Sequence, residues 1–310
     1  MSLTTNRRCF LKTAAFASAG LLGSAAGTLL EPVSASEPIA RNGKAKFKLS
    51  LAAYSYRKLL SGKTPALTLE DFIADCAAMG LEGTELTSYY FPKQPSAEYL
   101  NKLKHAAFRL GLDISGTAVG NDFCHPPGPA RTGQLDHVKR WVDYAQMLGA
   151  PVIRVFSGRP HGKQSVDEAY KLAVAGLEEC CEYAGRHGVF LALENHGGLS
   201  ANIDELVKLV RDVKSSWFGI NLDTGNFHAS STAEAAYADM AKMAPYALNV
   251  QVKVAIALKG RKKVESDFNR LAKILTSSGY RGYIVLEYEE NEDARKACPR
   301  FVEQLRKAFS

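Results

Sequence analysis

The stretch RHGVFLALENHG, residues 186 to 197, contains one complete passage from a helix into a strand and out of it. Gly188 is the residue type that most often ends an α-helix, because glycine adopts a left-handed conformation without steric cost. The run that follows, residues 189 to 193, is short, apolar and uncharged, which is typical of a buried strand. The strand then closes on the carboxylate of Glu194. This order of helix, glycine, apolar strand and polar end predicts one unit of a parallel α/β sheet.

The same order recurs along the chain, for example in RLGLDI, MLGAPVIRV and SSGYRGYIVLE. The clearest helix is TLEDFIADCAAMG, in which Thr68 can cap the first turn, Asp71 stands three residues later and Gly80 ends the helix. Between the helices, the sequence predicts eight strands, at residues 47–56, 83–90, 112–120, 152–158, 189–197, 218–226, 247–254 and 283–289.

Eight alternating units predict a closed (β/α)8 TIM barrel, whose usual length is about 250 residues. The alternative is an open, doubly wound sheet, which normally carries a glycine-rich phosphate-binding turn after its first strand. The segment AAYSYRKLLSG, residues 52–62, has no such turn. The sequence therefore favours one α/β barrel domain over residues 47–310, preceded by a linker at residues 36–46.

Residues 1–35 resemble a twin-arginine export signal. NRRCFLK supplies Arg7 and Arg8, an apolar run rich in Gly and Ala follows, and VSA precedes a cleavage point after Ala35. A membrane anchor is the alternative, but the run is only about eighteen residues long and spans usually need about twenty. The prediction is export to the periplasm, with no stable membrane insertion after cleavage.

Charge and cysteine content exclude some classes of partner and of site. The formal charge is +7, and loss of three basic residues and one acidic residue with the signal leaves +5. Basic residues are spread out, and the densest group, KGRKK at 259–263, reads as a loop, so we expect no nucleic-acid partner. The five cysteines beyond the signal are an odd number without a CxxC, which indicates small core residues rather than a disulfide framework or a thiolate zinc site.

Polar residues close four successive predicted strands. In barrels of this kind the active site lies at the carboxyl ends of the strands, so Glu194, Asp223, Gln251 and Glu287 are candidates for one site. Three buried carboxylates repel one another unless positive charge compensates them. A divalent cation would do so, and oxygen ligands favour Mn²⁺ or Mg²⁺ over Zn²⁺ or Co²⁺. Lys253 is the alternative counter-ion.

The motifs ALENHGG, NLDTGN and IVLEYE, in this order, resemble the xylose isomerase-like superfamily of sugar isomerases and epimerases, related to tagatose and psicose 3-epimerases and inosose-type enzymes. The resemblance implies one metal ion bound by Glu, Asp, His and Glu from strands five to eight. Glu194, Asp223 and Glu287 match. Gln251 stands where the family pattern VHVK has histidine, which leads to the hypothesis that its carbonyl oxygen binds the metal; alternatively, it only hydrogen-bonds inside the barrel.

The resemblance further implies a sugar or keto-sugar substrate and an enediolate intermediate, with Glu194 and Glu287 as acid and base. Rim residues are candidates for substrate binding or support: His196, Asn226, His228, Lys253, Arg154 and Glu85, with Asn195, Asn121 and His125 beside them. Three alternatives stay open, namely a lyase or hydrolase acting on 3-keto sugars, a non-catalytic sugar-binding barrel and a metal phosphodiesterase like the apurinic-site endonucleases. Homo-oligomerisation is also left open.

Overall fold

The computed structural model describes residues 37–310 and has a closed barrel of eight parallel strands, as the sequence predicts. Each strand pairs with the next along the chain, and the eighth closes the ring by pairing with the first. The barrel strands are β1 Lys46–Ala52, β2 Gly83–Thr87, β3 Asp113–Ala118, β4 Val152–Val155, β5 Phe190–Glu194, β6 Phe218–Asp223, β7 Ala247–Val252 and β8 Arg281–Leu286.

Helices surround the barrel and cover the outer faces of the strands. Thr68 and Asp71 form the predicted capping box at the start of the second helix, and Ser165 with Glu168 form another at the fifth. The helices are α1 Arg57–Leu60, α2 Leu69–Ala78, α3 Ala97–Arg109, α4 Pro129–Leu148, α5 Val166–Arg186, α6 Ile203–Asp212, α7 Ala233–Met243, α8 Phe268–Ser277 and α9 Ala294–Ala308.

The predicted strand boundaries run too far at the carboxyl ends. Two of the predicted strands continue into short 3-10 turns, Ala53–Tyr56 after β1 and Ser88–Tyr90 after β2. Tyr56 is fully buried and packs edge-on against Phe72, so its apolar character reflects core packing beyond the strand. Hydrophobic patterning identifies what is buried, and a buried turn has the same pattern as the end of a strand.

Three short strands lie outside the barrel and form a small sheet. Ala255–Leu258 pairs antiparallel with Val264–Glu265 and parallel with Asn226–Phe227. The basic segment 259–263 is the turn of this hairpin, which confirms the prediction that it is a loop. The sheet follows strands β6 and β7, so it stands beside the carboxyl ends of those strands.

The predicted linker is partly described. Within it, the Ile39 N–H donates to the Pro245 carbonyl oxygen at 2.9 Å and Arg41 donates to the Ala247 carbonyl oxygen at 2.6 Å. Residues 37–45 thus contact the segment that leads into β7. The predicted signal, residues 1–35, lies outside the described residues, and the domain boundary at residue 47 stays a prediction.

The five cysteines within residues 37–310 are core residues, as predicted. Their side chains are buried and unbridged at positions 76, 124, 180, 181 and 298. Between residues 37 and 310, no helix is both long and apolar enough to cross a membrane.

The capping box of α2 can be tested by thermodynamics. We expect Thr68→Ala to lower the free energy of unfolding by about 1 kcal/mol, because it leaves the Asp71 N–H without its 3.2 Å acceptor. Urea denaturation measures this loss. The control is Thr64→Ala, at an exposed residue that caps no helix, and an equal loss in both variants would contradict the role of the cap.

Candidate active site

Charged side chains converge at the carboxyl mouth of the barrel. Glu194 ends β5, Asp223 ends β6, Glu287 follows β8, and each is at most 5% exposed. Two buried cations, Arg154 from β4 and Lys253 after β7, lie among them. The strand ends that the sequence assigns to one site therefore lie together, and the cations decide how the carboxylates are arranged.

Lys253 is the centre of the cluster. Its Nζ lies 2.7 Å from Glu289 Oε1, 2.9 Å from Glu287 Oε2 and 3.3 Å from Asp223 Oδ2. Burial alone would lower the pKa of this lysine, but the carboxylates outweigh burial and hold the pKa well above its ordinary value. Gly225 lets the lysine chain pass, since a Cβ there would lie 2.4 Å from Lys253 Cγ. Lys253 is therefore a permanent ammonium ion at the mouth.

Glu289 is a site residue that the sequence analysis missed. It follows Glu287 by two residues, so strand alternation predicts that both side chains point the same way, and this signal was available in the segment LEYEE. Burial raises the pKa of Glu289, but Lys253 more than offsets this and the net pKa is lowered.

Glu194 is held from two sides. Its Oε2 lies 2.8 Å from Arg154 Nε, and its Oε1 accepts a 3.0 Å hydrogen bond from the Asn226 amide. The Arg154 contact is an ion pair without hydrogen-bond alignment, while Nη1 of the same guanidinium donates to the Val119 carbonyl oxygen. Burial raises the pKa of Glu194 to about 7, Arg154 opposes the rise and the charge of Glu287 adds to it. This carboxyl can therefore exchange a proton near neutral pH.

Asp223 has one oxygen engaged and one without a hydrogen bond. Oδ1 accepts from the N–H groups of Gly225 and Asn226, at 2.7 and 3.1 Å. Oδ2 is buried, accepts no hydrogen bond and has only the Lys253 ammonium at 3.3 Å. Burial raises the pKa of Asp223 to about 7, although Lys253 opposes the rise. Asn195 fixes the backbone here, because its amide bonds both the N–H and the carbonyl oxygen of Asp223.

Gln251 belongs to a closed ring of four side chains inside the barrel. Its Oε1 accepts from Asn221 Nδ2 at 2.7 Å, and its Nε2 donates to Glu85 Oε1 at 2.7 Å. Asn249 completes the ring by donating to Glu85 Oε2 at 2.9 Å and to Asn221 Oδ1 at 3.0 Å. Gln251 is thus in the second of its two predicted arrangements, hydrogen-bonded within the barrel. Its role as a metal ligand stays a prediction.

Glu85 has both oxygens engaged in this ring and is 1% exposed. Burial and the nearby charge of Glu287 raise its pKa to about 7, against the hydrogen bonds from Gln251 and Asn249. A substrate hydroxyl would have to displace one of the two amides to reach it. The position supports the mouth from within the barrel rather than facing an open cavity.

Binding of a single ion by the three carboxylates stays a prediction. Over residues 37–310, one set of three His, Cys, Asp or Glu side chains has candidate ligand atoms all within 4.8 Å of one another, and it is Asp122, His125 and His161. Glu194, Asp223 and Glu287 are drawn instead towards Arg154 and Lys253. A divalent ion suits the chemistry of these oxygen donors, among which Asp223 Oδ2 accepts no hydrogen bond. To bind one ion together, the three carboxylates would have to approach one another more closely than they do here.

Two further predicted rim residues are His196 and His228. His196 lies at the exposed rim and packs on Phe156, with ring centroids 4.4 Å apart, and desolvation of its ring together with the charge of Arg154 lowers its pKa. Phe156 also carries the Arg154 guanidinium 4.1 Å from its ring centroid. His228 is exposed and lines a cavity of about 100 Å³ with Asn226, Lys253 and Glu289. This cavity connects the lysine to the exposed edge of the mouth.

The charge balance can be tested by removing its central cation. We expect Lys253→Met to lower the free energy of unfolding by about 3–5 kcal/mol, because buried carboxylates lose their partner. The loss should be larger at about pH 8.5 than at about pH 5.5, since protonation of carboxyls with raised pKa values removes the repulsion at low pH. Urea unfolding at both pH values measures it. The control is Lys48→Met, which breaks an exposed pair with Asp113, and a pH-independent loss in Lys253→Met would contradict the argument.

Comparison with known proteins agrees with this architecture. A curated inosose dehydratase from Erwinia tasmaniensis is 24% identical over 272 residues, which cover 75% of this chain and 85% of that protein. The solved structure of D-psicose 3-epimerase with D-tagatose from Clostridium cellulolyticum H10 has a TM-score of 0.67 at 15% identity, covering 85% of this chain and 99% of that one. A 3-keto-D-glucoside 4-epimerase from E. coli has a TM-score of 0.66 at 16% identity, covering 85% and 100%.

At these identities the solved structures establish a shared fold. The family model described as xylose isomerase-like TIM barrel matches residues 73–305, which include all the charged residues of the mouth. This match agrees with the strand order and with the motifs at the ends of β5, β6 and β8. The chain belongs to the xylose isomerase-like TIM barrel family.

Proposed function

We propose that this protein is an isomerase or epimerase that moves a proton on a carbon next to the carbonyl group of a sugar or keto-sugar. The observation that carries the proposal is a buried carboxyl at the barrel mouth, Glu194, which lies 2.8 Å from Arg154 Nε and whose pKa burial raises to about 7. A general base works best when its pKa lies near the working pH. The relatives named above, a dehydratase of inosose and two sugar epimerases, support a substrate of this class.

Glu194 is assigned the removal of the carbon-bound proton. Arg154 and Asn226 contact its two oxygens and so fix the plane of the carboxylate. When the carboxylate accepts the proton, negative charge moves onto the substrate carbonyl oxygen and an enediolate forms. Glu287, which follows β8, is the second acid or base, and it returns a proton on the other side of the intermediate. Return to a different carbon gives isomerisation, and return to the opposite face of the same carbon gives epimerisation.

The enediolate needs positive charge at its oxygens. Lys253 supplies it from the chain itself, because three carboxylates keep its ammonium charged. The proposed cofactor is one divalent ion, Mn²⁺ or Mg²⁺ before Zn²⁺ or Co²⁺, held by Glu194, Asp223 and Glu287, and it would act as a Lewis acid on the same oxygens. His196, Asn226 and His228 are proposed to bind substrate hydroxyls at the rim.

Elimination is the second candidate function, and the inosose dehydratase relative favours it. A lyase acting on a 3-keto sugar begins with the same loss of a proton next to the carbonyl, after which a neighbouring oxygen leaves. The first step would again use Glu194. The two functions differ only in whether the intermediate is reprotonated or loses a group.

The proposed location and assembly of the protein rest on the sequence alone. Export by the twin-arginine route would place the protein in the periplasm and direct it to sugars outside the cytoplasm. Assembly into a homo-oligomer is left open within the proposal.

Proton exchange tests the proposed function. Keto-sugars and an inosose are incubated with the protein and Mn²⁺ in deuterated water, and NMR follows deuterium entering next to the carbonyl. We expect Glu194→Gln to slow exchange by about 100-fold or more, since general bases contribute about 10²–10⁴-fold. Without added Mn²⁺, any wild-type exchange should rise with pH through about 7 as Glu194 loses its proton. Glu98→Gln, at an exposed position on α3, is the control.

Two outcomes would contradict the proposal, the first its function and the second its assignment of the base. Tight sugar binding without exchange would indicate a non-catalytic barrel. Exchange that persists in Glu194→Gln would assign the base to another residue. Exchange accompanied by loss of water or an alcohol would instead select the elimination function.

Metal binding at the mouth gives a separate test. Because Lys253 competes for the same carboxylates, we expect Lys253→Met to bind Mn²⁺ at least about tenfold more tightly than the wild type. Calorimetric titration near pH 8 measures the affinity, and Lys253→Arg, which keeps the charge, is the control. Equal or weaker Mn²⁺ binding in Lys253→Met would show that these carboxylates are not the metal ligands.

A further inference from the structure

A second cluster of ionisable side chains lies at the rim of the barrel, on the loops that follow β3 and β4. Asp122 and His125 come from the first loop and His161 from the second. His161 Nε2 lies 3.2 Å from Asp122 Oδ2, and the two imidazole rings stack with centroids 4.0 Å apart and an angle of 15° between their planes. One candidate ligand atom from each residue lies within 4.8 Å of the others. The three side chains are only partly buried.

The two loops are tied to each other independently of these three side chains. The Gln164 amide donates to the Cys124 carbonyl oxygen at 3.0 Å and accepts from the His161 N–H at 3.0 Å. Asn121 bonds both the N–H and the carbonyl oxygen of Phe156, at 2.9 Å each. These pairings hold the backbones of the two loops in register, so both histidines are delivered to the same place before any ligand arrives.

Asp122 is fixed more firmly than the histidines. Its Oδ1 accepts from the Cys124 N–H at 2.8 Å, and its own N–H donates to Gln134 Oε1 at 2.9 Å. Gly158 allows the opposite backbone to approach: it has φ of +95°, and a Cβ at this position would lie 2.0 Å from Asp122 Oδ1. The bonded Oδ1 leaves Oδ2 as the oxygen that faces His161. A carboxylate supported in this way is a pre-oriented ligand.

The three donor atoms favour particular metal ions. Two imidazole nitrogens and one carboxylate oxygen suit borderline divalent ions, Zn²⁺ above all, and differ from the all-oxygen set at the mouth. Both rings are partly exposed, which leaves room for them to turn their nitrogens towards one point. Three protein ligands leave a fourth position for water in a tetrahedral site.

We propose that Asp122, His125 and His161 form a binding site for one Zn²⁺ ion, made of other residues than the carboxylates of the mouth, which clamps the loop after β3 to the loop after β4. The clamp has a structural consequence at the mouth. The second loop begins at Phe156, whose ring carries the Arg154 guanidinium and the His196 imidazole. An ion that holds this loop therefore also steadies the wall against which Arg154 is positioned.

The site is tested by titrating the full chain with Zn²⁺ in competition with a chromogenic chelator, and with Co²⁺ as a spectroscopic probe. We expect one strong Zn²⁺ site in the wild type and a loss of at least about 100-fold in affinity in Asp122→Asn and His161→Ala, because even residues that only support metal ligands cost 10–100-fold. Zn²⁺ should also raise the Tm of the wild type and leave that of His161→Ala unchanged.

Two control variants distinguish this site from the barrel mouth and from unspecific Zn²⁺ binding by a surface histidine. His105→Ala removes a histidine on α3 and should bind Zn²⁺ as the wild type does, and Glu287→Gln alters the mouth and should also retain the site. Circular dichroism of each variant establishes that it folds, and His125→Ala replaces any variant that does not. Zn²⁺ affinity that is absent in the wild type, unchanged in Asp122→Asn and His161→Ala, or lost only in Glu287→Gln would overturn the proposal.

Discussion

The ammonium group of Lys253, buried among Asp223, Glu287 and Glu289, is the interaction on which the mouth of this barrel depends. A parallel barrel brings the carboxyl ends of its strands together, and here several of those ends carry acids. Buried carboxylates at this separation would otherwise take up protons or push apart. One lysine that is itself held charged by its neighbours lets them remain close, and Arg154 does the same for Glu194.

Beneath this charged layer lies a ring of amide side chains around one carboxyl group. Asn221, Asn249 and Gln251 form a closed ring of four hydrogen bonds with Glu85. A polar network inside a barrel is stable only when its buried groups have hydrogen-bond partners. In this ring, both oxygens of Glu85 accept hydrogen bonds from amides, and no cation among residues 37–310 pairs with it. The amides fill the interior, and the groups able to exchange protons lie above them, where a substrate can arrive.

The rim has its own organisation. Loops after β3 and β4 are joined by side-chain amides from Asn121 and Gln164, and Phe156 extends from them to support Arg154 and His196. On the other side, the small sheet formed by Ala255–Leu258 and its partners stands beside Lys253. Each wall is built from loops that follow two neighbouring strands of the barrel. The residues of the site between the walls come from several strands.

The eight strands, the glycine-closed helices and the acids at the ends of β5, β6 and β8 could all be predicted from the sequence, because periodicity and turn chemistry are local properties. The late strand ends at residues 53–56 and 88–90 were wrong, since buried turns share the pattern of buried strands. Glu289 was overlooked although its spacing from Glu287 pointed to it. The central position of Lys253, the inward bonding of Gln251 and the meeting of Asp122 with His161 were decided by the tertiary structure. Each is a contact between residues about thirty or more positions apart, or a choice between two hydrogen-bonding directions. Only closure of the barrel, with its fixed strand register, determines which side chains share the enclosed space.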